Sequence, residues 1–137
     1  MNRLMTEESW SAIEHFTPKE NWGDWRQMAE RVIFALDKCR AILGKPIIVH
    51  CGFETAGHDP KGCHPRGLAV DIHVPKMHVV DQYLFFSKIP DWGGIGVYPF
   101  WKNPGLHLDL GQPGRRWARN AADVYVPLDW AFLKSLA

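Results

Sequence analysis

The sequence predicts an α+β domain in which N-terminal helices pack on a small, mostly antiparallel sheet. Amphipathic helical patterns come first along the 137-residue chain, short strand patterns cluster in its middle, and the links between strands are short. Apolar residues make up 46% of the chain and charged residues 23%, the proportions of a globular protein. A chain of this length forms one core, so we expect a single domain over residues 1–137.

Two helices are predicted before the first strand. The first covers residues 7–16, with Thr6 available as its N-cap. The second is longer and runs from an Asp24 cap to Leu43, because apolar residues recur along it at three- and four-residue steps. Gly44 ends it as a C-cap.

The predicted strands follow in the middle of the chain. Residues 47–51 are apolar on both faces, which is typical of a central strand. A loop rich in glycine, proline and polar residues separates them from a strand at 68–74. A helix at 78–89 and a short strand at 95–98 come next.

The C-terminal part of the chain is predicted to hold one more strand and one more helix. Residues 106–110 alternate as a strand does. Residues 111–120 are predicted to form a basic loop with three arginines, and the last helix is predicted to start near Pro127.

Two of these strands carry unusual polar faces. Successive side chains of a strand point in opposite directions, so every second residue lies on the same face. In the strands at 68–74 and 106–110, Leu, Val and Ile therefore share one face. The other face carries His and Asp instead of ordinary surface residues, and an Asp inside a strand is costly unless a charged or hydrogen-bonding group meets it. Side by side, the two strands would bring together Asp71, His73, His107 and Asp109, with His64 just before the first strand.

This surface has the residue types of a metal site. Zinc binds imidazole nitrogen and carboxylate oxygen, and a catalytic zinc keeps three protein ligands and one open position for water. His64, Asp71 and His107 could supply the three ligands, since Gly67 lets the chain turn from loop to strand between the first two. A buried Asp–His cluster that binds no metal is the alternative interpretation.

Composition excludes several other classes of function. A net charge of +1 argues against a dedicated nucleic-acid-binding protein, and no apolar run reaches the length of a membrane span. The odd number of cysteines argues against a disulfide framework. The N-terminus shows no signal-peptide pattern, so we expect a protein made in the cytoplasm without a signal peptide.

The order and spacing of the polar residues resemble a known family. The segment His64-x-x-Gly-x-Ala-x-Asp71 is followed by Gly-Gly-Ile-Gly-Val-Tyr-Pro at 93–99 and Leu-His-Leu-Asp at 106–109. This two-part motif is similar to that of the zinc D-Ala-D-Ala carboxypeptidase and L-alanyl-D-glutamate endopeptidase family, and the similarity extends over residues 20–118. The chain most resembles the branch of murein endopeptidases and small phage-encoded cell-wall peptidases. The wider fold group includes lysostaphin-type enzymes and the hedgehog signalling domain.

The resemblance implies a cofactor, an activity and a partner. His64, Asp71 and His107 would ligate Zn²⁺, and the protein would hydrolyse an amide bond in peptidoglycan stem peptides or crosslinks. Such a phage or prophage metallopeptidase would act on the cell wall after release by lysis or as part of a virion. Its expected partner is the stem peptide, with no nucleic acid and no membrane insertion. The alternative is a catalytically impaired, zinc-containing module that binds peptidoglycan.

The chain departs from the family where catalysis is concerned. Many members carry a catalytic base two or three residues before the last ligand, where this chain has Gly105 and Pro104. The candidates that could replace this base are Asp109, Glu54, His73 and His58. Asp109 could also orient a ligand imidazole, which is the role that we favour for it.

Substrate contacts are predicted from the same resemblance. Glu54 stands where the family has an arginine that helps to anchor the substrate, and the cations that could replace that arginine are Arg66, Lys61, Arg115 and Arg116. The Tyr98 hydroxyl could donate to a tetrahedral intermediate, or the side chain could pack beneath the adjacent loop. His58, in the loop before His64, is the third predicted substrate-binding residue besides Tyr98 and Arg66.

Overall fold

The computed structural model describes residues 2–137 and confirms the α+β class. Within these residues the helices are α1 (Glu30–Leu43), α2 (Val79–Phe86) and α3 (Trp130–Ser135). The strands are β1 (Ile48–Cys51), β2 (Ala69–His73), β3 (Gly94–Tyr98), β4 (Gly105–Asp109), β5 (Arg115–Arg119) and β6 (Tyr125–Pro127). Short 3-10 turns cover Glu8–Ala12, Trp25–Gln27 and His64–Arg66.

The six strands form one sheet in the order β1-β2-β4-β3-β5-β6. Every neighbouring pair is antiparallel except β3 and β5, which run parallel. The prediction of a mostly antiparallel sheet is therefore confirmed. The two strands with His and Asp faces, β2 and β4, are direct neighbours near the middle of the sheet.

One face of the sheet and one face of α1 contribute to a single hydrophobic core. Val70 and Ile72 of β2 and Leu106 and Leu108 of β4 are fully buried, as the alternation predicted. They belong to the same cluster as Leu36 and its apolar neighbours on α1. Each such side chain contributes about 1.5–3 kcal/mol when it leaves water, so this face fixes which side of the sheet is left for the polar residues.

The predicted long N-terminal helix is wrong in its first part. Asp24 does cap a turn, its carboxylate accepting from the Arg26 N–H at 3.1 Å, but only the short 3-10 turn follows. Met28 and Ala29 are extended because their backbone is used elsewhere: the Ala29 N–H donates to the Gly67 carbonyl at 3.0 Å. The α-helix then begins at Glu30 and ends at Leu43, and Gly44 follows it as a C-cap in the left-handed conformation, as expected.

The predicted helix at 7–16 is also shorter than expected. Only a 3-10 turn over Glu8–Ala12 forms there. The Thr6 hydroxyl does accept a hydrogen bond from the Ser9 N–H, at 3.3 Å.

Two predictions about strands are also wrong. The first strand, β1, lies at the edge of the sheet and not at its centre, and the exposed side chain of Ile48 (40%) shows that only one of its faces is covered. The predicted basic loop at 111–120 contains β5, which pairs with β3 and carries its arginines beside buried Ala118. No helix among the described residues has the length and apolar character needed to span a membrane.

Candidate metal centre

The predicted metal ligands meet on the polar face of the sheet. Asp71 on β2 and His107 on β4 are directly opposite in the antiparallel register, so their side chains leave the sheet side by side. His64 reaches the same point from the 3-10 turn before β2, where Gly67 adopts a left-handed conformation that turns the chain into the strand. The three residues lie at the floor of a cleft of about 1150 Å³.

The three donor atoms form an even triangle. His64 Nε2, His107 Nδ1 and Asp71 Oδ1 are each 3.2 Å from the other two. Ligands bound tetrahedrally at 2.0–2.1 Å stand about 3.3–3.4 Å apart, so the spacing fits three positions around one zinc ion. Two imidazoles and one carboxylate are also a donor set that other first-row divalent ions accept.

Hydrogen bonds behind the two imidazoles fix which nitrogen is free. His64 Nδ1 lies 2.7 Å from the Gly52 carbonyl oxygen, which can only accept, so this nitrogen carries the proton. His107 Nε2 lies 2.7 Å from Asp109 Oδ2 and donates to it in the same way. The remaining nitrogens therefore present lone pairs towards Asp71. Three acceptors converging in this way require a cation between them, either protons or a metal ion.

The pKa values of His64, His107 and Asp71 are shifted in the directions that favour positive charge on the imidazoles and negative charge on the carboxylate. Burial by itself would lower the pKa of His64, but hydrogen bonds to Asp71 and other partners raise it to about 10. Burial also opposes protonation of His107, yet its contacts with Asp109 and Asp71 raise its pKa to about 8. Burial would raise the pKa of Asp71, but the two imidazoles lower it to about 2.

A second set of donors includes a thiol. Cys51, His64 and Asp71 offer ligand atoms within 4.8 Å of one another and could hold a metal ion. The Cys51 Sγ, however, lies 3.8 Å from His64 Nδ1, the nitrogen already bonded to the Gly52 carbonyl. The set with His107 uses the free Nε2 and has the shorter spacing, so it describes the centre better.

Asp109 lies behind the candidate metal ligands. Its side chain is only 1% exposed, and its two oxygens are engaged by His107 Nε2 and by the Gly111 N–H at 2.8 Å. Arg115 stands 3.6 Å away. Although burial would raise the pKa of Asp109, its hydrogen bond with His107 contributes most to lowering it. A carboxylate held in this way is suited to orienting His107 and poorly placed to take a proton from the cleft.

Glu54 and His58 form a pair at the side of the cleft. Glu54 Oε1 lies 2.8 Å from His58 Nε2. The His58 ring lines the cleft and lies 4.8 Å from the ring of His64, whereas Glu54 stands behind it. Of the two, His58 is therefore the one that faces a ligand.

Tyr98 and Arg66 also line the cleft. The Tyr98 hydroxyl oxygen accepts from Trp117 Nε1 at 3.1 Å, and burial raises the pKa of this hydroxyl, which keeps it protonated. Arg66 donates from Nε to the Gly62 carbonyl at 3.2 Å and borders the cleft. Lys61, Arg115 and Arg116 line the same cleft, so all four cations considered from the sequence are present around it.

The structure does not bring His73 into the cleft. Its side chain turns towards the sheet edge, where its Nδ1 meets Nε2 of His50 on β1 and the two rings stack at 4.8 Å. Burial and the neighbouring His50 lower the pKa of His73. Its position two residues beyond Asp71 puts it on the same face of β2 but outside the group that surrounds the metal ligands.

Two tryptophans of the cleft were not predicted from the sequence. The Trp117 ring lies 5.1 Å from the ring of His107, and Trp101 stacks on Tyr98 at 4.2 Å. Trp117 could have been found from the strand pattern of β5, in which its side chain and those of Arg116 and Ala118 point to opposite faces. The arginines of this segment hid that pattern. Trp101 lies in a loop between two prolines and has no periodic pattern to identify it.

The sequence matches no protein-family model, and no curated protein is significantly similar to it. Function is therefore inferred from the residues of this centre together with the motif resemblance.

Proposed function

We propose that the protein is a zinc-dependent peptidase that hydrolyses an amide bond in peptidoglycan stem peptides or crosslinks, on the metallopeptidase fold that its motifs resemble. The observation that carries the proposal is the even 3.2 Å triangle of His64, Asp71 and His107 donor atoms at the floor of a cleft. Zinc held by these residues would polarise the scissile carbonyl and lower the pKa of its bound water.

His58 is the proposed proton acceptor. Because Glu54 engages Nε2, the neutral imidazole holds its proton there and leaves a lone pair on Nδ1. A carboxylate behind an imidazole orients the ring and stabilises its protonated form, as general bases require. Asp109 is not available for this role because both of its oxygens are engaged.

Tyr98 and the cleft cations are the proposed substrate contacts. The Tyr98 oxygen already accepts from Trp117, so its O–H can turn towards oxygen that becomes negative during hydrolysis. Arg66 and Arg115 border the cleft and would attract the carboxylates of an acidic peptide. They would thereby compensate for the glutamate at position 54.

The proposed biological setting is a phage or prophage cell-wall enzyme. Such an enzyme would meet its substrate after lysis or as part of a virion. Neither setting requires the chain to insert into a membrane.

The decisive experiment measures metal and hydrolysis on the same protein. The chain, purified without chelators, is expected to carry one zinc and to release new amino groups from peptidoglycan of the diaminopimelate or the lysine type. His58→Gln is expected to lower kcat by about 100-fold with unchanged zinc content. His15→Gln, at an exposed position outside the cleft, is the matched control. Zinc-bound protein that hydrolyses none of these cell walls would contradict the proposal.

A second candidate is a non-catalytic module that binds peptidoglycan. It is favoured by Gly105 and Pro104 at the positions before His107, where the family that the motifs resemble often has its base, and by the engagement of both Asp109 oxygens. A pull-down distinguishes the two functions, because a module would be retained on insoluble peptidoglycan without releasing amino groups from it.

A further inference from the structure

A second cavity opens beside the metal cleft and shares two aromatic side chains with it. Tyr98 and Trp101 line both spaces, so a ligand in the cleft can continue past them. The second cavity has a volume of about 350 Å³, and its other lining residues are Phe100, Arg119, Asn120, Ala121 and Asp123. Small-ligand sites range over roughly 300–1,000 Å³, so this cavity has room for one ring and its substituents.

One wall of the cavity is a fixed aromatic surface. The Trp101 ring stacks on Tyr98 with centroids 4.2 Å apart and an angle of 13° between the planes. Tyr98 is itself held by Trp117, so the pair keeps its orientation without a ligand. A flat indole with polar groups beside it suits a ligand that has an apolar ring face and polar edges.

The polar groups of the cavity include an oriented hydrogen-bond donor. Asn120 Oδ1 accepts from the backbone N–H groups of Ala122 and Val124, both at 3.0 Å. These two bonds identify the oxygen of the Asn120 amide, so its NH₂ group points away from the backbone of residues 122–124. Among residues 2–137, that NH₂ group has no acceptor, so it is available to a ligand carbonyl or hydroxyl.

The charges in this cavity neutralise each other. Arg119 Nε donates to Asp123 Oδ1 at 2.9 Å, and its guanidinium lies 4.1 Å over the Tyr125 ring. The metal cleft, in contrast, is lined by four cations and three carboxylates, and two of those carboxylates, Asp71 and Asp109, are already engaged by the histidines of the centre. The cavity is therefore suited to a neutral ligand, and the cleft to an acidic one.

The distance between the two spaces limits how a substrate can span them. Tyr98 lies two residues along β3 from Gly96, which pairs with the ligand His107. At about 3.4 Å per strand residue, the Tyr98 backbone lies roughly 7 Å along β3 from the point beside His107. An extended peptide advances about 3.5 Å per residue, so a bond at the metal lies about two or three residues from a ring held by Trp101.

We infer that Tyr98, Trp101 and Asn120 form a subsite for an N-acetylated sugar ring, and that the enzyme cuts glycan-attached stem peptides close to the sugar. The inference rests on the proposed function. It assigns the neutral cavity to the glycan and the cationic cleft to the acidic peptide. The enzyme thus hydrolyses amide bonds near the glycan end of the stem peptide and does not hydrolyse the terminal D-Ala-D-Ala bond.

The kinetic test compares one stem peptide with and without its disaccharide. The wild-type zinc enzyme is expected to show a kcat/KM about tenfold higher for the glycan-linked form. Asn120→Asp keeps the acceptor for the turn and removes the NH₂ donor, so it is expected to lose that preference while still cleaving the free peptide. Asn2→Asp makes the same change away from both spaces, again keeping an oxygen that accepts from Arg31, and is the matched control. Equal kcat/KM for the two wild-type substrates would overturn the subsite.

Product analysis and binding separate this inference from the proposed function. Mass spectrometry is expected to find cleavage within the first residues after the sugar, and cleavage confined to the C-terminal bond would refute the inference. In calorimetry, N-acetylmuramyl-L-alanyl-D-isoglutamine is expected to bind about tenfold more tightly than L-alanyl-D-isoglutamine. Sugar-dependent binding without any hydrolysis would support the subsite and reject the peptidase, whereas equal binding would reject the subsite.

Discussion

Asp109 accepts a hydrogen bond at 2.7 Å from Nε2 of His107, the residue two positions before it on β4. Residues two apart on a strand share a face, so the His-x-Asp sequence is sufficient to bring the two groups together. The contact leaves Nδ1 of His107 as the nitrogen that faces Asp71 and His64. The orientation of this imidazole is therefore determined within one strand, before any metal is present.

Asp109→Asn is expected to weaken metal binding although Asp109 is not a ligand. The amide can still accept from the Gly111 N–H, but its NH₂ group would face the N–H of His107 and favour the opposite tautomer. Loss of such a supporting carboxylate lowers metal affinity by roughly 10–100-fold. Competition with a chromophoric chelator measures the change. Asp91→Asn, at a surface ion pair with Lys38, is the control, and an unchanged zinc affinity in Asp109→Asn would reject the orienting role.

The metal-free protein is expected to lose stability as pH rises above neutrality. The pKa values of His64 and His107 are raised from 6.5 to about 10 and about 8, so their protonation stabilises the fold fully below pH 6.5. This stabilisation is lost as pH rises through the two raised values. The pKa of Asp71 is lowered from 3.8 to about 2, so its contribution is complete above 3.8 and is lost as pH falls through the lower value.

Thermal unfolding in the presence of a chelator, measured between about pH 5 and pH 10, tests this expectation. This interval spans the ordinary and the raised pKa values of the two histidines. The midpoint temperature of unfolding is expected to decrease as the pH is raised beyond 6.5. Zinc is expected to remove most of this decrease, because the ion replaces the protons. His107→Gln should show a smaller dependence on pH. A midpoint that stays constant or rises over the alkaline range would contradict the predicted coupling.

The two strands of the centre were predictable from the sequence because burial leaves a clear alternation. Val70 and Ile72 point into the core, so Asp71 must point away from it, and the same reasoning places His107. Asp71 and His107 therefore follow from local pattern alone. His64 was predicted to join them through the turn at Gly67, but the path of that turn is set by a contact that no local pattern reveals, between the Gly67 carbonyl and the distant Ala29 N–H.

The elements that escaped prediction are those whose pattern is set by distant partners. Arginine dominates the sequence of β5, and only its parallel pairing with β3 makes it a strand. β1 has the β-branched residues of a central strand, yet within residues 2–137 it pairs with β2 alone and stands at the edge of the sheet. Met28 and Ala29 fit a helical period but use their backbone groups for contacts with other segments. For β5 and for Met28 and Ala29, tertiary hydrogen bonds outweighed a local preference, whereas the place of β1 in the sheet is set by which strands the fold brings beside it.

Gln82→Met is expected to destabilise the fold without touching the metal centre. Buried Gln82 on α2 accepts from the Val74 N–H at 3.1 Å and donates to the carbonyls of Met77 and Pro104 at 2.9 and 3.1 Å. It thus ties the end of β2 to the segment that leads into β4. Methionine has a similar volume but leaves these backbone groups unpaired, at a cost of about 2–4 kcal/mol in the free energy of unfolding. Urea denaturation measures the loss.

Gln27→Met provides the comparison for that substitution, because Gln27 is exposed and the same change there removes no buried contact. Its free energy of unfolding is expected to remain within about 0.5 kcal/mol of the wild-type value. Equal stabilities of the two variants would show that the Gln82 hydrogen bonds do not hold the two strands together.

The two possible ligand sets make opposite predictions for Cys51 and His107. If zinc lies between His64, Asp71 and His107, Cys51→Ala keeps one ion per chain, whereas His107→Ala lowers the affinity by at least about 100-fold because only two ligands remain. Cobalt substitution gives an independent readout, since a thiolate ligand adds an intense near-ultraviolet charge-transfer band. We expect the cobalt protein to lack this band and Cys51→Ala to leave its spectrum unchanged. A thiolate band that disappears in Cys51→Ala would instead identify Cys51, His64 and Asp71 as the ligands.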